Sequence, residues 1–123
     1  MYGFKEIQKR YKDKYIFVLV TSTGPELFDH IDKILSLKFF FNHTFNSSHS
    51  TKHKPHPEPY LNAINYLNLK PSECMVIEDS VQGVCSGKQA GCYVVALEGS
   101  IDKKFLKDAD TIISSLPELE KLL

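Results

Sequence analysis

The 123-residue chain carries fifteen basic and fifteen acidic residues, with 42% apolar and 24% charged side chains. That length supports one domain with a core, and the cancelled charge gives no reason to expect nucleic acid or a membrane surface as partner. Tyr15 to Val20, the longest early apolar run, is too short for a bilayer span or a signal-peptide core; Cys74, Cys85 and Cys92 lack metal-type spacing and read as reduced core thiols of a cytoplasmic protein.

Along the chain, elements alternate. Phe4, Ile7 and Tyr11 share one helical face, with the basic residues of segment 1–14 on its solvated side. "YIFVLV" (15–20) is a continuous β-branched run, expected as a strand buried on both faces. "TSTGP" follows as a loop. Leu27, Ile31, Ile34 and Leu35 then recur at helical spacing after Pro25. "FFFNHTF" (39–45) suggests a short strand, and the polar, proline-rich segment 47–59 a loop. Segment 58–68 places Tyr60, Ala63, Ile64 and Leu67 on one helical face, with Pro59 near its start. "CMVI" (74–77) is the next strand. Ser80 is the expected N-cap of a helix over 80–90 that stops at Gly91. "CYVVAL" (92–97) and "TII" (111–113) are further strands, and Ser115 with Glu118 has capping-box spacing.

Strand and helix in regular turn predict an α/β fold with a parallel sheet. Ligands of such sheets bind beyond the carboxyl ends of the strands. The residues there are Thr21, Ser22 and Thr23 after the first strand, and Glu78, Asp79 and Ser80 after "CMVI". The loop before the 58–68 helix adds Lys54, on a backbone restricted by Pro55. Hydroxyls, an amine and two carboxylates at one sheet edge suit a phosphate and a hard cation such as Mg²⁺. Each has a plainer explanation, a solvated turn or a helix-start charge; the order and spacing together favour the site. His43, His49, His53 and His56 lie close in sequence but in a polar loop, so they are expected to be solvated rather than metal-bound. A receiver domain has a similar inventory in another order, with its acids first and its lysine last.

These residues resemble the haloacid dehalogenase-like hydrolase superfamily, in the subgroup of β-phosphoglucomutase and phosphoglycolate-phosphatase-like enzymes. The matching stretches are "VLVTST", "KPHPEPYLNAINYLNL" and "CMVIEDSVQGVCSGKQAGCYVVAL". The resemblance implies a Rossmann-like parallel sheet, with residues 1–123 a partial core domain. It also implies that Thr21 and Ser22 bind phosphate, that Lys54 steadies the phosphoryl group as a catalytic residue, and that Glu78 and Asp79 hold Mg²⁺. The substrate would be a small phosphorylated metabolite.

The family's nucleophile lies in an Asp-x-Asp-x-(Thr/Val) motif after an apolar strand, and nothing before Tyr15 fits it. "DADT" (108–111) matches literally but follows "KKFLK" and precedes "TII", the wrong end of a strand. The expectation is therefore a core lacking the nucleophile strand and the cap domain, with little or no turnover alone. In the resembling fold that strand lies between "CMVI" and "YIFVLV". These two would then pair directly or leave open edges that invite self-association or a partner chain. The alternative is a non-catalytic phosphate- and Mg²⁺-binding or interaction module.

Overall fold

A computed structural model of the chain describes residues 3–99 and 101–123. Helix α1 spans Phe4–Tyr11 and buries Ile7, with Phe4 and Tyr11 packed beside it. Strand β1 follows at Val18–Val20 and pairs in parallel with β2, His43–Phe45, in the register Val18 to His43 and Val20 to Phe45. Between them lie α2, Pro25–Leu35, and the short α3, Leu37–Phe40. Helix α4, Glu58–Tyr66, leads to β3, Met75–Glu78. Helix α5, Val81–Gln89, leads to β4, Tyr93–Leu97, and β5 is Thr111–Ile113. Strands β3, β4 and β5 form a second parallel sheet in that order. The α/β class with parallel pairing is as expected.

The residues of the three-stranded sheet alternate across the pleat, and both faces carry packing, although β3 is covered on one face only. Val76, Val94 and Ala96 face a cluster with Tyr60, Ile64 and Val84 from α4 and α5. Val95 and Ile113 face the other way, against Ile7, Leu116 and Leu119. Helix α5 lies close to the sheet because Gly87 has no side chain: a Cβ there would come within 2.9 Å of Val94 and 3.0 Å of Val76. The Ser80 hydroxyl caps α5 by accepting the Gly83 N–H at 3.0 Å, and Gly91, at φ 90°, turns the chain beyond it. Ser115 and Glu118 form the expected capping box, on a 3-10 helix over Leu116–Leu122.

Several expectations need correction. The run 15–20 yields a three-residue strand that is only half-buried, and Ile16 is exposed. Among the described residues β1 has one partner strand, so its other edge stays open and burial on both faces is not achieved. The "CMVI" strand starts one residue later than expected and alternates, with Val76 and Glu78 buried and Met75 and Ile77 partly exposed. Strands β1 and β3 do not pair with each other, which is the open-edge branch of what was expected. The segment 39–45 divides between α3 and β2, and on α2 the buried residue is Phe28, whereas Leu27, Ile34 and Leu35 are exposed. Of the three cysteines, all free, only Cys92 is fully in the core.

Candidate functional site

The carboxyl ends of β1 and β3 are joined by one side chain. Lys54, on the loop before α4, sends its Nζ to the Val20 carbonyl at 3.2 Å and to Glu78 Oε1 at 2.5 Å. The pair is largely withdrawn from water, with side-chain exposures of 14% for Lys54 and 8% for Glu78. Breaking such a pair by removing one partner strands a buried charge and costs about 3–5 kcal/mol. Glu78 reaches inward because strand alternation puts it on the same side as Val76, facing α4 and α5. Tyr60, buried on α4, donates its hydroxyl to the same Oε1, and Ser80 Oγ lies 3.4 Å from Oε2.

Room for this carboxylate comes from α5. A Cβ on Gly83 would overlap the Glu78 carboxyl group. The Lys54 loop is held from outside as well as inside. The fully buried Ser86 hydroxyl donates to the His56 carbonyl at 2.7 Å. The Glu58 carboxylate accepts the N–H groups of Thr51 at 3.1 Å and Lys52 at 2.8 Å. The Thr51 amide, first among these bonds, holds the Glu58 pKa below its usual value.

Thr21 follows β1 and is half-buried, with Ser22 exposed beside it. The Thr21 hydroxyl donates to Thr23 Oγ1 at 3.0 Å and accepts the Thr23 N–H at 3.2 Å, which fixes the turn. Asp79 is exposed, one residue past the end of β3. The structure thus brings Lys54 and Glu78 into contact, ties them to the end of β1 next to Thr21, and leaves Ser22 and Asp79 facing solvent. Sequence reasoning used Tyr60 only as an apolar helix residue and did not single out Ser86 or Gly83. A buried tyrosine does carry a signal, because its hydroxyl needs a partner.

Two other features prove structural. In "DADT", Asp110 accepts the Val94 N–H at 2.7 Å and pairs with Lys88 at 2.8 Å, so it secures the start of β4. His49 Nδ1 accepts the Asn46 N–H at 2.9 Å and His56 Nδ1 the Glu58 N–H at 3.0 Å. Among the described residues no three or more His, Cys, Asp or Glu side chains group as a metal site of their own. No described helix is long and apolar enough to cross a membrane.

Comparison with known proteins decides the family. The model for haloacid dehalogenase-like hydrolases matches residues 2–91. The chain belongs to that family. Hexitol phosphatase A of Escherichia coli is 41% identical over 66 residues, covering 54% of this chain and 31% of that protein. Hexitol phosphatase B of the same organism is 30% identical over 121 residues, covering 95% of this chain and 54% of that protein. A crystal structure from Thermotoga maritima, provisionally named β-phosphoglucomutase, superposes with a TM-score of 0.88 at 27% identity. It covers 100% of this chain, which spans 61% of that one. This member of the family therefore spans about half to three-fifths of the length of these last two proteins.

Proposed function

We propose that this chain forms the phosphoryl- and Mg²⁺-binding part of a phosphohydrolase or phosphomutase acting on a small phosphorylated metabolite. The observation that carries the proposal is the Lys54 ammonium, which bridges the ends of two strands. An ammonium has three N–H donors. Two are used, on Val20 O and Glu78 Oε1. The third remains for an incoming phosphoryl oxygen, at the sheet edge where α/β proteins take ligands. Thr21 and Ser22, next to the Val20 carbonyl, are the hydroxyl donors for further phosphate oxygens. The names of the relatives, two hexitol phosphatases and a provisional phosphomutase, support the substrate class.

The donor set fits Mg²⁺, which prefers oxygen ligands and takes one or two carboxylates, with waters and phosphate completing its shell. Asp79 supplies an exposed carboxylate, and Glu78, buried beside it, has Oε2 between Ser80 Oγ at 3.4 Å and Gly83. When bound, the metal would neutralise phosphate charge. The chain's own part is to hold the phosphoryl group against Lys54 and the Thr21–Ser22 turn. Among the described residues Asp79 is the one aspartate that directly follows a strand. Since the proposal gives it to the metal, the 123 residues alone should bind but not turn over. The free thiols suit a reducing, cytoplasmic compartment.

Titration of inorganic phosphate with Mg²⁺, followed by phosphorus NMR, tests the site. Lys54→Met should weaken binding at least about tenfold, the loss of a charge-assisted hydrogen bond. Equal binding by the variant would refute the assignment. Mg²⁺-dependent phosphatase turnover by the unmodified chain, abolished in Asp79→Asn, would overturn the expected inactivity.

A further inference from the structure

Two flexible side chains meet at the site, and something must hold them in one geometry. A lysine has four rotatable bonds and a glutamate three, and fixing both costs rotamer entropy. We propose that Tyr60 is a positioning residue that locks Lys54 and Glu78 together, so that Lys54 keeps one N–H aimed at a ligand. Its role presupposes the phosphoryl site proposed above.

Tyr60 acts with two parts of one ring. Its hydroxyl donates to Glu78 Oε1, the oxygen that also takes the Lys54 ammonium at 2.5 Å. Its face lies under that ammonium, 4.9 Å from Nζ to the ring centre. A cation over an aromatic face is attracted by the ring's quadrupole, more strongly where water is excluded. Tyr60, at 9% exposure, lies against the core, packed with Ile64, Val76 and Val84. The ring cannot tilt without disturbing that packing, so both partners inherit its rigidity.

The arrangement has directional consequences. Oε1 is saturated by two donors, while Oε2 lies against Gly83 of α5 with Ser80 Oγ 3.4 Å away. The ammonium is held by Oε1, the Val20 carbonyl and the ring face, so its remaining N–H points in a fixed direction. Burial first, and the Glu78 charge second, push the phenol's pKa far above its usual value. A phenylalanine would fill nearly the same core volume and keep the ring face but not the hydroxyl, so Tyr60→Phe isolates the hydroxyl.

The experiment combines two readouts. The first is the affinity for inorganic phosphate with Mg²⁺ in wild type, Tyr60→Phe, Glu78→Gln and the double variant. Tyr60→Phe should weaken binding roughly tenfold in the wild-type background and by less than about twofold in Glu78→Gln, the coupling expected when one residue acts through another. Equal losses in both backgrounds would reduce Tyr60 to a packing residue and overturn the proposal. The second readout is the rate at which acetic anhydride modifies Lys54, followed by mass spectrometry. It should rise at least about fivefold in Tyr60→Phe as the ammonium loses its fixed place, with the fold retained by circular dichroism. An unchanged rate overturns the positioning role. If wild type binds no phosphate, the phosphoryl-site assignment falls, and the acetylation rate alone decides whether Tyr60 holds Lys54.

Discussion

Gly83→Ala is the sharpest single perturbation of this site. On an ordinary helix the change is favourable, since alanine exceeds glycine in helix propensity by about 1 kcal/mol. Gly83 has no positive φ that would strain an alanine. Here, however, the added Cβ would occupy the space of the Glu78 carboxyl group. That group has nowhere to retreat, because Lys54 and Tyr60 hold it. Displacing it breaks a buried ion pair at about 3–5 kcal/mol. The net expectation is a loss of about 2–4 kcal/mol after the helix gain. For a chain of this size that lowers the thermal midpoint by about 10 °C. Urea unfolding followed by circular dichroism measures it. The decisive control is the background Lys54→Met with Glu78→Ala, which removes the carboxylate without stranding a buried ammonium. In that background Gly83→Ala should become stabilising by about 1 kcal/mol. A loss of equal size in both backgrounds would refute the steric reasoning, as would a Gly83→Ala chain as stable as wild type.

Two further outcomes follow from buried groups around the site. Ser86→Ala removes the fully buried hydroxyl that holds the His56 carbonyl, and should cost about 1–3 kcal/mol in urea unfolding and speed Lys54 acetylation, because the loop loses its anchor. Stability and labelling both unchanged would mean that the loop is held elsewhere. Cys92 lies in the core, and burial pushes its thiol from 9.0 up to about 11. A raised folded pKa means that this contribution is complete below pH 9 and lost as pH rises toward 11. Stability measured from pH 8 to 11 should therefore fall in wild type by an amount on the order of 2 kcal/mol more than in Cys92→Ala, and parallel curves would contradict it.

How much was legible in the sequence depended on whether one element or several had to be known. Local signals carried well. Ser80 caps α5 through the Gly83 N–H, Gly91 takes the left-handed turn, and Ser115 with Glu118 forms its box. These need only a few neighbouring residues. Strand burial did not carry, because it depends on who lies alongside. The run 15–20 has the composition of a doubly covered strand, yet β1 has one neighbour among the described residues and stays half-buried. Helix α2 shows the same limit. Its apolar spacing is real, but the residue turned inward is Phe28, about 100° around the helix from Leu27. Periodicity reveals that a face exists and cannot say which neighbour covers it.

The two acids at the end of β3 show why a site's inventory can be legible while its wiring is not. In sequence, Glu78 and Asp79 read as one unit, a carboxylate pair awaiting a cation. Glu78 is the last residue of β3, and alternation turns it inward with Val76. Asp79 lies beyond the strand and faces water. The adjacent acids therefore meet different surroundings. Inside, Glu78 has its cation already, the Lys54 ammonium delivered from a loop twenty-four residues away. Of the two acids, Asp79 is the one open to solution, while the second oxygen of Glu78 lies against Gly83. This predicts an asymmetry in Mn²⁺ binding followed by electron paramagnetic resonance. Asp79→Asn should weaken affinity by about tenfold or more with the fold intact, since a directly ligating charge is lost. Glu78→Gln should act first on stability, because it leaves Lys54 buried without its counter-charge. Were the two variants to lose metal equally and keep equal stability, the acids would be a simple pair after all, and the division of labour drawn from β3's pleat would be wrong.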